Sequence, residues 1–322
     1  MKLLLAPFLM ILSLPIAHTS GPAIIAHRGA SGFLPEHTLE AKAYAHALGA
    51  AYIEQDVVLT KDNHTIVLHD IYLDATTDVA DIFPGRARDD GRYYAIDFSL
   101  DEIRRLTARE RIDPATGQQA FPGRFQKSLS GFQIATLEEE ILLIQELNRT
   151  TGRVAGIYPE LKAPAFHEKE GKDIVAVVHG ILTAHGYMNN DDPCIIQCFE
   201  VAPLLRLRKE FGSKLRLVQL IADPAWRLNI EDYPKMVTSE GLDTIASYAD
   251  GIGPAFSLVM KTTPEGLKPT PLVENARSRG LFIHPYTLRR DALPAGLSEG
   301  EIFDFLKKNS IDGVFTDFPA AP

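Results

Sequence analysis

Two pairs of charged side chains stand at a spacing that places both members of a pair on one face of a β-strand. Glu54 and Asp56 form the first pair and Glu160 and Lys162 the second, each within or after an apolar run. Residues two apart on a strand share a face. Three carboxylates held together repel one another, and a Ca²⁺ or Mg²⁺ ion with oxygen ligands removes that cost. We therefore expect Glu54, Asp56 and Glu160 to bind a divalent cation.

Histidines and cations follow other apolar runs. His27 and His69 are candidate general acid and base, because histidine alone has an ordinary pKa near neutrality. Arg28 and Lys162 are expected to bind an anionic group of the substrate, the arginine through two parallel hydrogen bonds. Each feature alone is more often a solvated strand end or a core histidine. Together, a metal, two imidazoles and two cations suit phosphoryl transfer.

An alternation of apolar runs and amphipathic stretches must position these residues. It is typical of parallel βαβ units and predicts a (β/α)8 TIM barrel, an α/β fold whose active site lies at the carboxyl ends of the strands. Nine runs compete for eight strands: AIIAHRG, AAYIEQDVVLT, TIVLHD, VAGIYPELK, CIIQCF, LRLVQLIA, DGIGPAF, LFIHPYT and DGVFTDFP.

The second and third runs resolve the count. Only four residues separate IEQDVVLT from TIVLHD, too few for a parallel crossover, so the two runs are expected to form a hairpin. With Asp62-Asn63 as a two-residue turn, Val58 pairs with Val67 and Asp56 with His69. That register places His69 beside the acidic pair.

Residues 72–133 interrupt the alternation with a polar stretch rich in Asp, Arg, Pro and Gly. A structureless loop of that length is unusual in a compact domain. We interpret it as a small insertion at the C-terminal face of the barrel. Its Asp-Arg clusters are most simply a solvated surface.

Composition and the amino terminus narrow the partners. The chain has 33 basic and 42 acidic residues, a formal charge of −9, which gives no basic field for nucleic acid. Residues 1–20 have the basic start, apolar centre and small-residue end of a cleavable signal peptide, so the mature domain is expected over 21–322. An uncleaved anchor is the alternative, although the apolar run is short for a membrane span. Cys194 and Cys198 lie too far apart on one strand to form a disulfide.

The ordered motifs AHRGASGFLPEHT, IEQDV, LHD, PELK, QCF, HPYT and FTDFP resemble the glycerophosphodiester phosphodiesterase family over residues 23–319. The likeness is greatest to its periplasmic bacterial members. It implies catalysis by His27 and His69, metal binding by Glu54, Asp56 and Glu160, and phosphate contacts from Arg28 and Lys162. It implies Ca²⁺ as the ion, with Mg²⁺ possible, and a periplasmic location. Glu36, Gln197, Phe199 and Tyr286 are further candidates for substrate binding.

One motif departs from many relatives, which have Pro-Glu-Asn-Thr where this chain has Pro35 to Thr38 with His37 in place of the asparagine. We expect His37 to cap the following helix rather than reach the site.

The resulting hypothesis is metal-dependent hydrolysis of a glycerophosphodiester, such as glycerophosphocholine or glycerophosphoethanolamine, to sn-glycerol 3-phosphate and an alcohol. The nucleophile is water or the substrate's C2 hydroxyl, and either histidine can be the base. One alternative is a phospholipase acting on intact lipid headgroups, which predicts an exposed apolar lip. Another is an inactive secreted binding protein, which predicts the loss of a rim residue. The sequence leaves headgroup preference and oligomeric state open, and predicts no stable membrane insertion of the mature chain.

Overall fold

The computed structural model describes residues 21–126, 129, 131–228 and 230–320. The expected signal peptide lies outside these residues. The strands are β1 (Ala23–Ala26), β2 (Tyr52–Leu59), β3 (Thr65–Val67), β4 (Gly156–Leu161), β5 (Ile195–Cys198), β6 (Arg216–Ile221), β7 (Gly251–Pro254), β8 (Met260–Thr263), β9 (Gly266–Pro269), β10 (Phe282–Ile283) and β11 (Gly313–Thr316).

Eight of these strands run parallel in the order β10-β7-β6-β5-β4-β2-β1-β11. The two ends of the series meet through backbone hydrogen bonds, from Leu288 N to Phe315 O at 2.8 Å and from Phe315 N to Pro285 O at 3.0 Å. The result is a nearly closed barrel of eight parallel strands with flanking helices. The predicted TIM barrel is confirmed.

Helices lie between most of the strands, as the alternation of apolar runs and amphipathic stretches predicts. They are α1 (Leu39–Ala47), α2 (Val79–Ile82), α3 (Leu100–Ile103), α4 (Leu137–Thr151), α5 (Pro164–Lys169), α6 (Ile174–Ala184), α7 (Val201–Lys209), α8 (Tyr233–Met236), α9 (Ser239–Ala246), α10 (Phe256–Val259), α11 (Pro271–Arg277) and α12 (Glu299–Lys308). Capping boxes at Thr136 and Ser298 begin α4 and α12. Helices α9 and α11 and the β8–β9 hairpin were not predicted.

The β2–β3 hairpin exists, but its predicted register is wrong by one residue. Val57 pairs with Val67 and Val58 with Ile66, and Leu68 N donates to Asp56 O. The loop has three residues rather than two, because Thr60 N bonds His64 O and Asn63 takes a left-handed conformation with φ 63°. His69 still reaches the acidic cluster, because β3 ends at Val67 and the chain bends before His69.

Between β3 and α4 the chain forms the short helices α2 and α3 and a small apolar core of its own. Leu73, Phe98 and Leu106 of this segment pack with Val58 and Ile66 of the hairpin. The segment is thus built onto the outer side of the hairpin at the end of the barrel where β2 and β4 finish. Both cysteines are buried and free, as expected. Within the described residues, no helix has the length and apolar character needed to span a bilayer.

Candidate active site

The side chains that point into the barrel change from apolar to polar toward the carboxyl ends of the strands. A buried cluster at the interior includes Ile25, Tyr52, Tyr158, Ile195 and Phe315, which come from five strands. Tyr158 and Phe315 belong to non-adjacent strands, yet their ring centroids are 5.0 Å apart. Two residues further along each of these strands come, in the same order, His27, Glu54, Glu160, Gln197 and Asp317. Period-two geometry therefore points these polar side chains into the barrel mouth.

The acidic cluster consists of Glu54, Asp56 and Glu160. One carboxylate oxygen from each residue lies within 4.8 Å of the others, and all three side chains are buried. Cα pairing of Asp56 with Glu160 across β2 and β4 brings them together. Burial and the neighbouring carboxylates raise the pKa of Glu54 well above its ordinary value, and burial raises that of Glu160 to about 7 despite Lys162. Like charges are crowded here at a cost in free energy.

The donor set of this cluster fits a hard divalent cation. Oδ1 of Asp56 and Oε1 of Gln197 are buried and have no hydrogen-bond partner among the described residues. Gln197 also donates from Nε2 to Glu54 Oε1 at 3.2 Å, and the backbone N–H of Arg28 donates to Glu54 Oε2 at 2.6 Å. In a folded protein, a buried oxygen rarely lacks a partner from the protein unless water or a bound ion supplies one. The cluster could hold Ca²⁺ or Mg²⁺, both of which prefer oxygen ligands.

Each of the two candidate catalytic histidines is held by an aspartate. His27 Nδ1 lies 2.6 Å from Asp317 Oδ1, and His69 Nδ1 lies 2.6 Å from Asp70 Oδ1. An ionised carboxylate only accepts, so Nδ1 carries the proton in each ring and Nε2 of the neutral ring is free to accept one. Burial and the charge of Arg28 lower the pKa of His27 to about 4. Partial burial, Arg28 and Lys162 lower that of His69 to about 4 as well.

Arg28 and Lys162 frame the acidic cluster with positive charge. Arg28 Nη1 donates to Glu36 Oε2 at 3.0 Å, and its Nε lies 3.6 Å from Asp56. Lys162 Nζ lies 2.7 Å from Glu160 Oε1 and 3.6 Å from Asp56 Oδ1. Both side chains are almost fully buried, at 12% and 13% exposed. A phosphate entering the mouth would meet fixed cations rather than mobile surface side chains.

A tight turn places His27 and Arg28. Arg28 has φ 58° and Gly29 has φ 82°, both left-handed. A Cβ on Gly29 would lie 2.9 Å from the carbonyl carbon of Ala41 in α1, so the glycine is required for conformation and for space. The turn directs two consecutive side chains of the His-Arg-Gly motif into the same mouth.

Two expectations about this region are wrong. His37 does not cap α1, since Thr38 accepts from Ala41 N; instead His37 Nε2 lies 2.7 Å from Asp56 Oδ2. The insertion's arginines are not all solvated either. Arg111 and Arg124 have side chains 17% and 4% exposed and form ion pairs with residues around the site.

The candidate substrate-binding residues divide into two groups. Glu36 and Gln197 contact protein groups of the site, Glu36 both Arg28 and Arg111, which suggests that they position other side chains. Phe199 and Tyr286 lie at the rim with ring centroids 5.9 Å apart, and Lys162 Nζ is 5.8 Å from the Phe199 ring. These two rings border the space above the acidic cluster.

The model of the glycerophosphoryl diester phosphodiesterase family matches residues 27–321. The chain belongs to that family.

Two bacterial relatives are similar over most of their length. A glycerophosphodiester phosphodiesterase of Haemophilus influenzae is 43% identical, covering 93% of this chain and 88% of the relative. One of Treponema pallidum is 37% identical, covering 92% and 89%. The expected family resemblance is confirmed.

Solved structures support the fold. A Silicibacter pomeroyi structure superposes with a TM-score of 0.70 at 25% identity, covering 94% of this chain and 92% of that one. An Oleispira antarctica phosphodiesterase in complex with the product sn-glycerol-3-phosphate gives 0.65 at 20% identity, covering 93% and 94%. This chain thus shares its fold with both of these solved structures.

Sequence reasoning left Asp317, Asp70 and the insertion arginines without a role in the site. Asp70 directly follows His69 and Asp317 ends the last apolar run, and these positions are the signal that the sequence offers. Arg111 and Arg124 lie in a segment without periodicity, so nothing in the sequence separated them from surface arginines.

Proposed function

We propose that the chain is a metal-dependent glycerophosphodiesterase that hydrolyses substrates such as glycerophosphocholine and glycerophosphoethanolamine to sn-glycerol 3-phosphate and an alcohol. The observation that carries the proposal is the pairing of His27 with Asp317 and of His69 with Asp70 beside the cluster of three carboxylates. Family membership supports the same chemistry.

The residues divide the work by charge. Arg28 and Lys162 bind the phosphate and share the charge that develops on its oxygens. One of His27 and His69 accepts the proton of the nucleophile at Nε2, and the other donates a proton to the leaving alkoxide. The nucleophile is water, or it is the substrate's C2 hydroxyl, in which case the alcohol leaves with formation of a cyclic glycerol phosphate that water then opens to sn-glycerol 3-phosphate. Binding of an anionic phosphodiester beside the rings raises the pKa of whichever histidine acts as the acid.

Glu54, Asp56 and Glu160 would hold the metal ion, for which we propose Ca²⁺, with Mg²⁺ as the competing ion. When bound, the ion supplies Lewis-acid stabilisation of a phosphate oxygen. Three buried carboxylates, together with Asp56 Oδ1 and Gln197 Oε1, which lack a hydrogen-bond partner among the described residues, favour a cation of this type. Phe199 and Tyr286 line the side of the mouth where the alcohol moiety would lie.

Export completes the proposal. Residues 1–20 would be removed as a signal peptide, leaving residues 21–322 as a periplasmic enzyme with residues 72–133 as its insertion. Amino-terminal sequencing of the protein recovered from a periplasmic fraction tests this, and a chain that still begins at Met1 contradicts it.

A specific observation favours testing one alternative, a phospholipase. The insertion is polar, but Trp226, Leu228 and Ile230 in the loop after β6 are 51%, 41% and 49% exposed. The Trp226 ring lies 6.1 Å from that of Tyr286 at the mouth. An inactive binding protein is disfavoured, because the expected rim residues are all present and His27, His69 and the carboxylates are arranged together.

The deciding experiment is coupled detection of sn-glycerol 3-phosphate from several glycerophosphodiesters, after removal of divalent ions with a chelator and after return of Ca²⁺ or Mg²⁺. We expect no product in the stripped protein and recovery with Ca²⁺. Turnover that survives complete removal of divalent ions contradicts the metal assignment. Vesicles of phosphatidylcholine should yield no choline, whereas choline release that depends on Trp226 would favour the phospholipase.

A further inference from the structure

The insertion sends two arginines into the site, one behind each aspartate that holds a histidine. We propose that Arg111 and Arg124 are positioning residues, each fixing the carboxylate that orients one catalytic histidine. The inference rests on the proposed roles of His27 and His69. It assigns to residues 72–133 the completion of the active site.

The first arm runs from His69 into the insertion. Asp70 accepts from His69 Nδ1 on Oδ1 and from Arg111 Nη1 on Oδ2, the latter at 2.7 Å. The rest of the Arg111 guanidinium grips Glu36, from Nε at 3.0 Å and from Nη2 at 2.6 Å. Glu36 in turn holds Arg28. Arg111 thus links the orientation of His69 to that of the phosphate-binding Arg28.

The second arm has the same plan at His27. Asp317 accepts from His27 Nδ1 on Oδ1 and from Arg124 Nη2 on Oδ2, each at 2.6 Å. Arg124 also forks onto Asp291, from Nε at 2.8 Å, and its guanidinium lies 3.7 Å from the centre of the Phe121 ring. Arg289 adds a further bond to the same Asp317 oxygen at 2.9 Å.

The physical reason for a role is the geometry of a carboxylate. A carboxylate that bonds a ring through one oxygen can still rotate about its own axis and carry the ring with it. A guanidinium on the second oxygen fixes the carboxylate plane, because its donors are planar and rigidly arranged. Catalytic groups lose rate when misplaced by an ångström, so a fixed plane matters for proton transfer.

The insertion is built to hold these arginines in place. Ile112 N, next to Arg111, donates to Ala75 O at 2.8 Å, and Ala120 N donates to Arg111 O at 2.8 Å. Arg124 N in turn donates to Phe121 O at 3.0 Å, so backbone hydrogen bonds within the segment hold both arginines.

The test compares Arg111→Met and Arg124→Met with Arg88→Met. Arg88 is a matched control because it is also an insertion arginine forked onto carboxylates, Asp97 and Glu170, but touches neither histidine nor its aspartate. We expect kcat on glycerophosphocholine to fall about 10- to 100-fold in the two site variants, as for loss of an outer-shell partner. KM should change less than kcat. This difference should be clearest for Arg124→Met, because Arg111 is also linked to the phosphate-binding Arg28 through Glu36. Both constants of the Arg88→Met control should stay near those of the wild type.

A second substrate provides a readout that a general loss of structure would not give. The substrate is a glycerol phosphodiester with a nitrophenyl leaving group. Nitrophenolate is a weak base, so it leaves without help from a proton donor. We expect the loss to shrink on this substrate in one variant only, the one whose histidine is the acid. Equal losses on both substrates in both variants, or losses no larger than that of Arg88→Met, overturn the inference.

Two additions keep the outcome decisive. Arg111→Lys and Arg124→Lys retain the charge without the fork and should give kcat between the Met variants and wild type; they decide the question if a Met variant does not fold. His27→Ala and His69→Ala are assayed alongside. Inactive histidine variants with unaffected arginine variants overturn this inference alone, whereas active histidine variants overturn the proposed function itself.

Discussion

His37 Nε2 lies 2.7 Å from Oδ2 of Asp56, at the edge of the acidic cluster. On its other side, Nδ1 of His37 lies 3.2 Å from Nζ of Lys42, which is paired with Glu140 at 3.0 Å. Lysine is only a donor, so Nδ1 accepts and the proton on Nε2 points at Asp56. Burial and Lys42 lower the pKa of His37 to about 3, which keeps it neutral. A buried polar chain therefore runs from the acidic cluster to α4.

Replacing His37 with leucine should weaken metal binding. Asp56 would lose the donor that fixes its second oxygen, and loss of such a partner typically costs about 10- to 100-fold in metal affinity. Titration calorimetry with Ca²⁺ measures the effect. His37→Asn is the matched control, because its amide keeps a donor and should lose less. Equal affinities in the leucine variant and wild type would show that this contact does not matter for the ion.

Replacing Lys42 with methionine should destabilise the fold. Lys42 and Glu140 are fully buried, and removal of one partner of a buried pair costs about 3–5 kcal/mol because the other charge is left alone. Urea unfolding of the metal-free protein gives the free energy. Adding Glu140→Leu should restore much of the loss. Arg149→Met, which breaks an exposed pair with Glu146, should change stability by less than about 1 kcal/mol.

Acidification should destabilise the protein through His284. Burial and the charge of Arg216 lower the pKa of this histidine to about 3, and its Nδ1 lies 3.1 Å from the Tyr158 hydroxyl. Above pH 6.5 the ring is neutral in both folded and unfolded states. Between pH 6.5 and 3 only the unfolded state binds the proton, so the free energy of unfolding decreases as the pH is lowered. For one such group the decrease at pH 5 is about 2 kcal/mol relative to neutral pH.

Unfolding of wild type and His284→Gln at pH 7.5 and pH 5 checks this. The variant should lose less stability on acidification than wild type does. Its remaining change combines a loss from His27, His37 and His69, whose pKa values are also lowered, with an opposing gain from Glu54 and Glu160, whose pKa values are raised. An unchanged difference between the two pH values would contradict a buried neutral His284.

The fold and the centre of the site could be predicted because both follow from strand periodicity. The spacing of Glu54 and Asp56 placed two carboxylates on one face whatever the surroundings. The hairpin register could not be predicted from the turn residues alone, since Asn63 suits a two-residue or a three-residue loop. The contacts of His37 and of the insertion arginines could not be predicted. Their partners, Asp56, Asp70 and Asp317, are brought to them by tertiary packing, which no local sequence pattern indicates.

The central claim is that His27 and His69 transfer the protons of the reaction. The direct measurement is kcat for release of sn-glycerol 3-phosphate from glycerophosphocholine by His27→Ala and His69→Ala at saturating Ca²⁺. His64→Ala is the control, since that side chain is 48% exposed on the hairpin loop. We predict losses of about 10²–10⁴-fold in both site variants, with unfolding midpoints near that of the control. Near-native turnover in either folded variant would contradict the account.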